Sequence, residues 1–100
     1  MSMPIFEWYS EKERINVEKH GINLDTVKTV YNDPFRIMQY DEIHSGLEDR
    51  WQMLGMANGV LFVVYTERGE KIRIITAREA TPEERRIYYG ESENGYWFIP

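Results

Sequence analysis

The chain has 100 residues, which sets a single domain as the expectation. It carries no cysteine and two histidines, so disulfides, thiolate metal sites and histidine-rich metal sites are excluded. Its net charge of −5 argues against a general nucleic-acid binder, although clustered cations can still focus positive potential in one cleft. The N-terminus, MSMPIFEWYSEKER, lacks the apolar core of a signal peptide, and no stretch is long and apolar enough for a membrane span. The cytoplasm is therefore the expected location.

PIFEW reads as a first strand over residues 4–8. Ser10 is placed to cap a helix running to His20, with Gly21 as its left-handed stop and Lys19 and His20 at its negative end. Asn23 caps a second helix, LDTVKTVYN, whose Leu24, Val27 and Tyr31 form an apolar face; Asp33-Pro34 ends it. FRIMQY (35–40) and RWQMLGMA (50–57) read as strands around a polar loop, DEIHSGLED. Asn58-Gly59 marks a hairpin into VLFVVYT (60–66), whose unbroken apolar run makes it a central strand. ERGE turns the chain into KIRIITA (71–77), and Thr81-Pro82-Glu83-Glu84 opens a last helix ending near Gly90. The pattern is an α+β domain over residues 1–90: a mostly antiparallel sheet of four to five strands, two N-terminal helices and one C-terminal helix. Residues 91–100 form an apolar tail.

Two cationic clusters stand out. Strict alternation puts Lys71, Arg73, Ile75 and Ala77 on one strand face and Ile72, Ile74, Thr76 and Arg78 on the other, apolar, face. Arg78 lies past the strand proper, so alternation does not fix its side. On the first helix, Lys12, Asn16, Lys19 and His20 share one narrow face that carries no carboxylate. Both clusters suit phosphate contacts. Both also fit an ordinary solvated surface, with cross-strand ion pairs on the sheet and His20 serving only the helix end. His44, Ser45 and Asp49 superficially offer a nucleophilic triad, but they sit in a polar loop and are discounted.

FEW at 6–8, Lys12, Asn16, KHGI at 19–22, Arg50, VVYTERG at 63–69, RIITAR at 73–78 and Glu84-Arg85-Arg86 followed by Tyr88 together resemble the BrnT family of toxins. Tyr9, Leu24 and Thr76 depart from the usual family residues, which are an aspartate, an aromatic and a serine. The resemblance implies a RelE-like fold and a ribonuclease that cleaves RNA and inhibits translation without a metal or other cofactor. It also implies a cognate BrnA-type antitoxin, through which alone the complex meets DNA, and it leaves homo- or hetero-oligomers open. On this basis Lys19, His20, Arg50 and Arg78 are candidate catalytic residues. Trp8, Lys12, Asn16, Tyr65, Arg68 and Arg73 are candidate RNA contacts, with the aromatics stacking on bases. Two other readings stay open: an inactive module of the same fold that only binds its antitoxin, and a structural domain whose sheet cations pair internally.

Overall fold

The hairpin and breaker signals place the strands correctly. A computed structural model of the chain describes residues 3–91, with the strands β1 (Ile5–Glu7), β2 (Ile37–Tyr40), β3 (Trp51–Met56), β4 (Val60–Arg68) and β5 (Lys71–Glu79). They form one mixed sheet in the order β1-β5-β4-β3-β2. Neighbours from β2 to β5 are antiparallel, whereas β1 pairs parallel to β5. The run VLFVVY is the central strand, as its unalternating apolarity requires. Asn58 and Gly59 both take positive φ (56° and 121°), the geometry that lets the β3–β4 hairpin turn tightly. All but the first residue of the expected 91–100 tail lies outside the described residues.

Three α-helices accompany the sheet: α1 (Ser10–His20), α2 (Val27–Tyr31) and α3 (Pro82–Tyr88). Ser10 is not the cap of α1. Tyr9 is the last extended residue (ψ 138°), so the backbone is already helical at Ser10 and no side chain caps the turn. Gly21 ends α1 at φ 68°, as expected. The second helix is shorter than the sequence reading. Asn23 accepts a bond from the Asp25 amide, but Leu24–Thr26 winds as a 3-10 turn before α2 begins. Thr81 and Glu84 complete the expected capping box of α3.

The 3-10 turn and α2 cover one sheet face. Leu24, Val27 and Val30 pack on Met53, Val63, Tyr65 and Ile74, all buried. Gly55 permits this approach: a Cβ there would lie 2.6 Å from Val30 Cγ1 and 2.9 Å from the Val30 carbonyl oxygen. Among the described residues the opposite face is covered at one end, where Ile87 and Tyr88 of α3 pack on Leu54, Val60, Phe62 and Ala80. No other described element covers the remainder of that second face.

Buried Asp33 ties the elements together. Its carboxylate accepts bonds from the amides of Phe35 (2.9 Å) and Met56 (2.8 Å) and from the Tyr88 hydroxyl of α3. Burial alone would raise its pKa, but these three donors and Arg36 outweigh it, and the net shift is downward. The stability that comes with this shift is complete above the unfolded value near 3.8 and is lost as pH falls through the lower folded value. Asp33→Asn should therefore lower the melting temperature at neutral pH, and melting curves followed down to about pH 3 should show a shallower acid loss than those of the parent. Gly55→Ala should cost about 1–3 kcal/mol, read from denaturant unfolding, because a backbone carbonyl stands where the methyl must go.

Candidate nucleic-acid interface

Arg73 and Arg78 are five residues apart, an odd spacing that puts two side chains on opposite faces of a regular strand. In β5 they share a face. Tyr65 pairs with Ile74 and Val64 with Thr76, which leaves Ile75 as an extra residue in a β-bulge. The bulge resets the alternation. Ile72, Ile74 and Ala77 point into the α2-side core, and Lys71, Arg73, Thr76 and Arg78 fall on the open face. Strict alternation therefore misplaced Thr76, Ala77 and Arg78.

α1 holds the bulge in place. It buries one residue only, Asn16, at 3% exposure. The Asn16 amide oxygen accepts from the Ala77 amide (3.0 Å) and the Thr76 hydroxyl (2.9 Å). Its nitrogen donates to the Ala77 (2.9 Å) and Ile22 (2.8 Å) carbonyls. β1 pairs only with residues 71–73, so Asn16 serves as the strand neighbour that β5 otherwise lacks there. All four hydrogen-bonding positions of the amide are filled, and none is left for a phosphate.

Two grooves run along the open face, sharing Arg50 and Ile75. The larger, about 290 Å³, is lined by Arg50, Arg78, Gln52, Thr76, His44, Asp41, Phe62 and Val64. The smaller, about 170 Å³, is lined by Lys12, Arg50, Arg68, Arg73, Tyr9 and Glu48. Three of these arginines are braced by carboxylates. Arg68 pairs with Glu48. Arg73 pairs with Glu7 at 3.1 Å, bonds the Tyr9 hydroxyl at 2.9 Å and stacks 4.9 Å from the Tyr9 ring centroid. Arg78 makes a two-point bond to buried Glu84 (2.8 and 3.0 Å), donates to the Glu79 carbonyl and stacks 4.1 Å from the Phe62 centroid. The fork end of Arg78 is thus occupied. Its Nε–H and the adjacent Nη2–H have no partner among the described residues, and that edge matches two phosphate oxygens. The Arg50 side chain has no carboxylate partner among the described residues.

His44 pairs through Nδ1 with both oxygens of Asp41 (3.0 and 3.1 Å). Asp41 is buried, which favours its neutral form. Bonds from the His44 amide, Gln52 and the His44 ring outweigh burial and hold its pKa below the ordinary value. Serine and aspartate of the same loop are engaged elsewhere: Ser45 with the Arg50 backbone, Asp49 with the Tyr40 hydroxyl.

The profile of the family described as "Ribonuclease toxin, BrnT, of type II toxin-antitoxin system" matches residues 8–84. The chain belongs to the BrnT toxin family. The fold is also similar to that in the 1.1 Å crystal structure of the Brucella abortus ribonuclease toxin BrnT, with TM-score 0.57 and 19% identity over 80% of this chain and 99% of that one. No curated protein matches.

Of the candidate residues in this BrnT-family chain, Lys12, Arg50, Arg68, Arg73 and Arg78 line the grooves. The α1 stripe does run beside β5, with Lys12 at the Arg73 end, Asn16 at Thr76 and Ala77, and His20 close enough to Arg78 for their charges to interact. Burial, then the charges of Lys19 and Arg78, lower the His20 pKa, so its imidazole is neutral at pH 7. Lys19 is exposed, and neither it nor His20 lines either groove. Trp8 and Tyr65 do not face the cations: both belong to the α2-side core, Tyr65 buried with its hydroxyl pKa pushed up to about 12 by desolvation. The aromatics beside the groove arginines are Tyr9 at Arg73 and Phe62 at Arg78. The sequence reading noted Tyr9 as a departure but gave it no role, and it left His44, Asp41 and Gln52 out of the site.

The bracing changes what Arg78→Ala should do. With buried Glu84 left uncompensated it should cost about 2–4 kcal/mol, a buried-pair loss discounted for the quarter exposure of Arg78, and Arg78→Lys should recover part of it. Asn16→Ala should lower the melting temperature comparably, because it leaves buried Ala77 backbone groups unpaired. Thermal unfolding of the variants checks both.

Proposed function

We propose that this chain is a metal-independent endoribonuclease of RelE-like fold, the toxin half of a type II pair, and that it inhibits translation by cutting RNA in the cytoplasm. The observation that carries the proposal is the gathering of Lys12, Arg50, Arg68, Arg73 and Arg78 on one open sheet face of an otherwise acidic chain of this family. An RNA strand laid along the two grooves meets a line of cations, with Tyr9 as the aromatic surface at one end.

In the reaction, the ribose 2′-oxygen attacks the adjacent phosphorus and the bond to the 5′-oxygen breaks. The products are a 2′,3′-cyclic phosphate and a free 5′-hydroxyl. Arg50 and the free edge of Arg78 hold the non-bridging oxygens as charge grows on them. His20, whose neutral form is favoured by burial first and by the charges of Lys19 and Arg78 second, takes the 2′-hydroxyl proton when RNA reaches past the groove end to it. A BrnA-type antitoxin silences the site by laying acidic or apolar segments over the cations, and it supplies whatever DNA contact the pair makes.

One observation favours a second reading. Arg68, Arg73 and Arg78 are each already paired with a carboxylate of the same chain, as in a module that binds its antitoxin and cuts nothing. Arg50 separates the two, because it holds up no buried acid. Arg50→Ala should leave the melting temperature within about 1 kcal/mol-equivalent of the parent and lower cleavage of a single-stranded RNA by about 10²–10³-fold. A parent protein that binds antitoxin yet never cuts RNA would establish the second reading.

A further inference from the structure

Resting on that ribonuclease reading, we infer that His44 is the general acid of the cleavage and Asp41 its positioning residue. Its basis is geometric, in the groove and the loop that lines it. His44 lines the same groove as Arg50 and Arg78, beside Gln52 and Thr76. Its ring is held on one side only, with Nδ1 against both oxygens of Asp41, and its side chain is 43% exposed. Asp41 is itself fixed: it is 4% exposed and accepts the His44 backbone amide as well. A carboxylate on Nδ1 sets the ring's orientation and its tautomer. Nε2, which has no partner among the described residues, is then the one ring atom that exchanges a proton.

The step balances. As the P–O5′ bond breaks, the doubly protonated ring gives its Nε2 proton to the departing 5′-oxygen, which leaves as a hydroxyl. The 2′-hydroxyl proton has meanwhile gone to His20. Solvent then returns a proton to His44 and removes one from His20, so no net proton is consumed. The charged groups facing His44 are Asp41 from its own loop, Arg50 at the start of β3 and Arg78 from β5. The same arginines hold the phosphate that the acid must reach.

A leaving group that needs no acid isolates this role. The full-length chain is assayed on two single-stranded RNA substrates that differ at one linkage: an ordinary 5′-oxygen and a 5′-sulfur bridge. Thiolate leaves without protonation. His44→Ala should slow the oxygen substrate by about 10²–10³-fold and the sulfur substrate by less than about tenfold, whatever the loss of the ring's bond to buried Asp41 does to the melting temperature. Asp41→Asn should show the same selectivity to a smaller degree, whatever it does to stability. Arg50→Ala should slow both substrates alike. An equal loss on both linkages in His44→Ala, or no loss on either, overturns the acid role while leaving the ribonuclease reading in place. A parent protein that cuts neither substrate overturns both.

Discussion

The cationic face exists because β5 contains one residue too many. Without the bulge at Ile75, Arg78 would point into the α2-side core where Ala77 now sits, and a buried lone guanidinium is not a structure a small domain tolerates. A bulge on a strand with a free edge is a weak feature, and β5 loses its β1 neighbour after residue 73. The Asn16 amide repairs that edge by bonding both backbone groups of Ala77. This explains why α1, which has no apolar stripe and exposes Ile15 and Val17, still packs against the sheet. A single saturated amide fixes the helix, the bulge and, through the bulge, the side on which Arg78 emerges. Lys12 and His20 follow from it, since they lie one turn before and one turn after Asn16 on the same face.

The braced arginines resolve a conflict between charge and order. A free arginine side chain samples many rotamers, and ordering it on a ligand costs entropy at the moment of binding. Glu84 removes that cost for Arg78: its carboxylate is locked by the capping box of α3 and in turn locks the guanidinium fork. Glu7 and the Tyr9 hydroxyl do the same for Arg73. The carboxylates also cancel part of the field, which reconciles a net charge of −5 with a face built from cations.

The strands, the central place of VLFVVY, the two hairpins and the α3 capping box were legible because each has a local signal: an apolar run, Asn-Gly, Thr-Pro-Glu-Glu. The parallel pairing of β1 with β5 has no local signal, because it joins residues at opposite ends of the chain. The cations of the site were legible as residue types, but their sides were not. A bulge leaves no mark in KIRIITAR, and alternation read straight through it gives the wrong face from Thr76 onward. The aromatics failed for a related reason. Trp8 and Tyr65 are obvious in FEW and VVYT, yet both are one residue off the open face, and Tyr9, which looked like a lapse in the pattern, supplies the ring and the hydroxyl that hold Arg73. His44 was hidden because a polar loop was read as connector, although its spacing from Asp41 is that of a single turn.

Arg50 is the residue whose position is hardest to explain as architecture. It stands at the junction of both grooves, ahead of β3, with its backbone pinned by Ser45 and Asp41. Its guanidinium has neither a carboxylate nor an aromatic partner among the described residues, whereas Arg68, Arg73 and Arg78 each have at least one. On the proposed ribonuclease reading, the braced cations on either side set the track for a polyanion, and the unbraced cation between them is the one free to form its first full ion pair. The groove is organised, on this view, around a charge it does not itself satisfy.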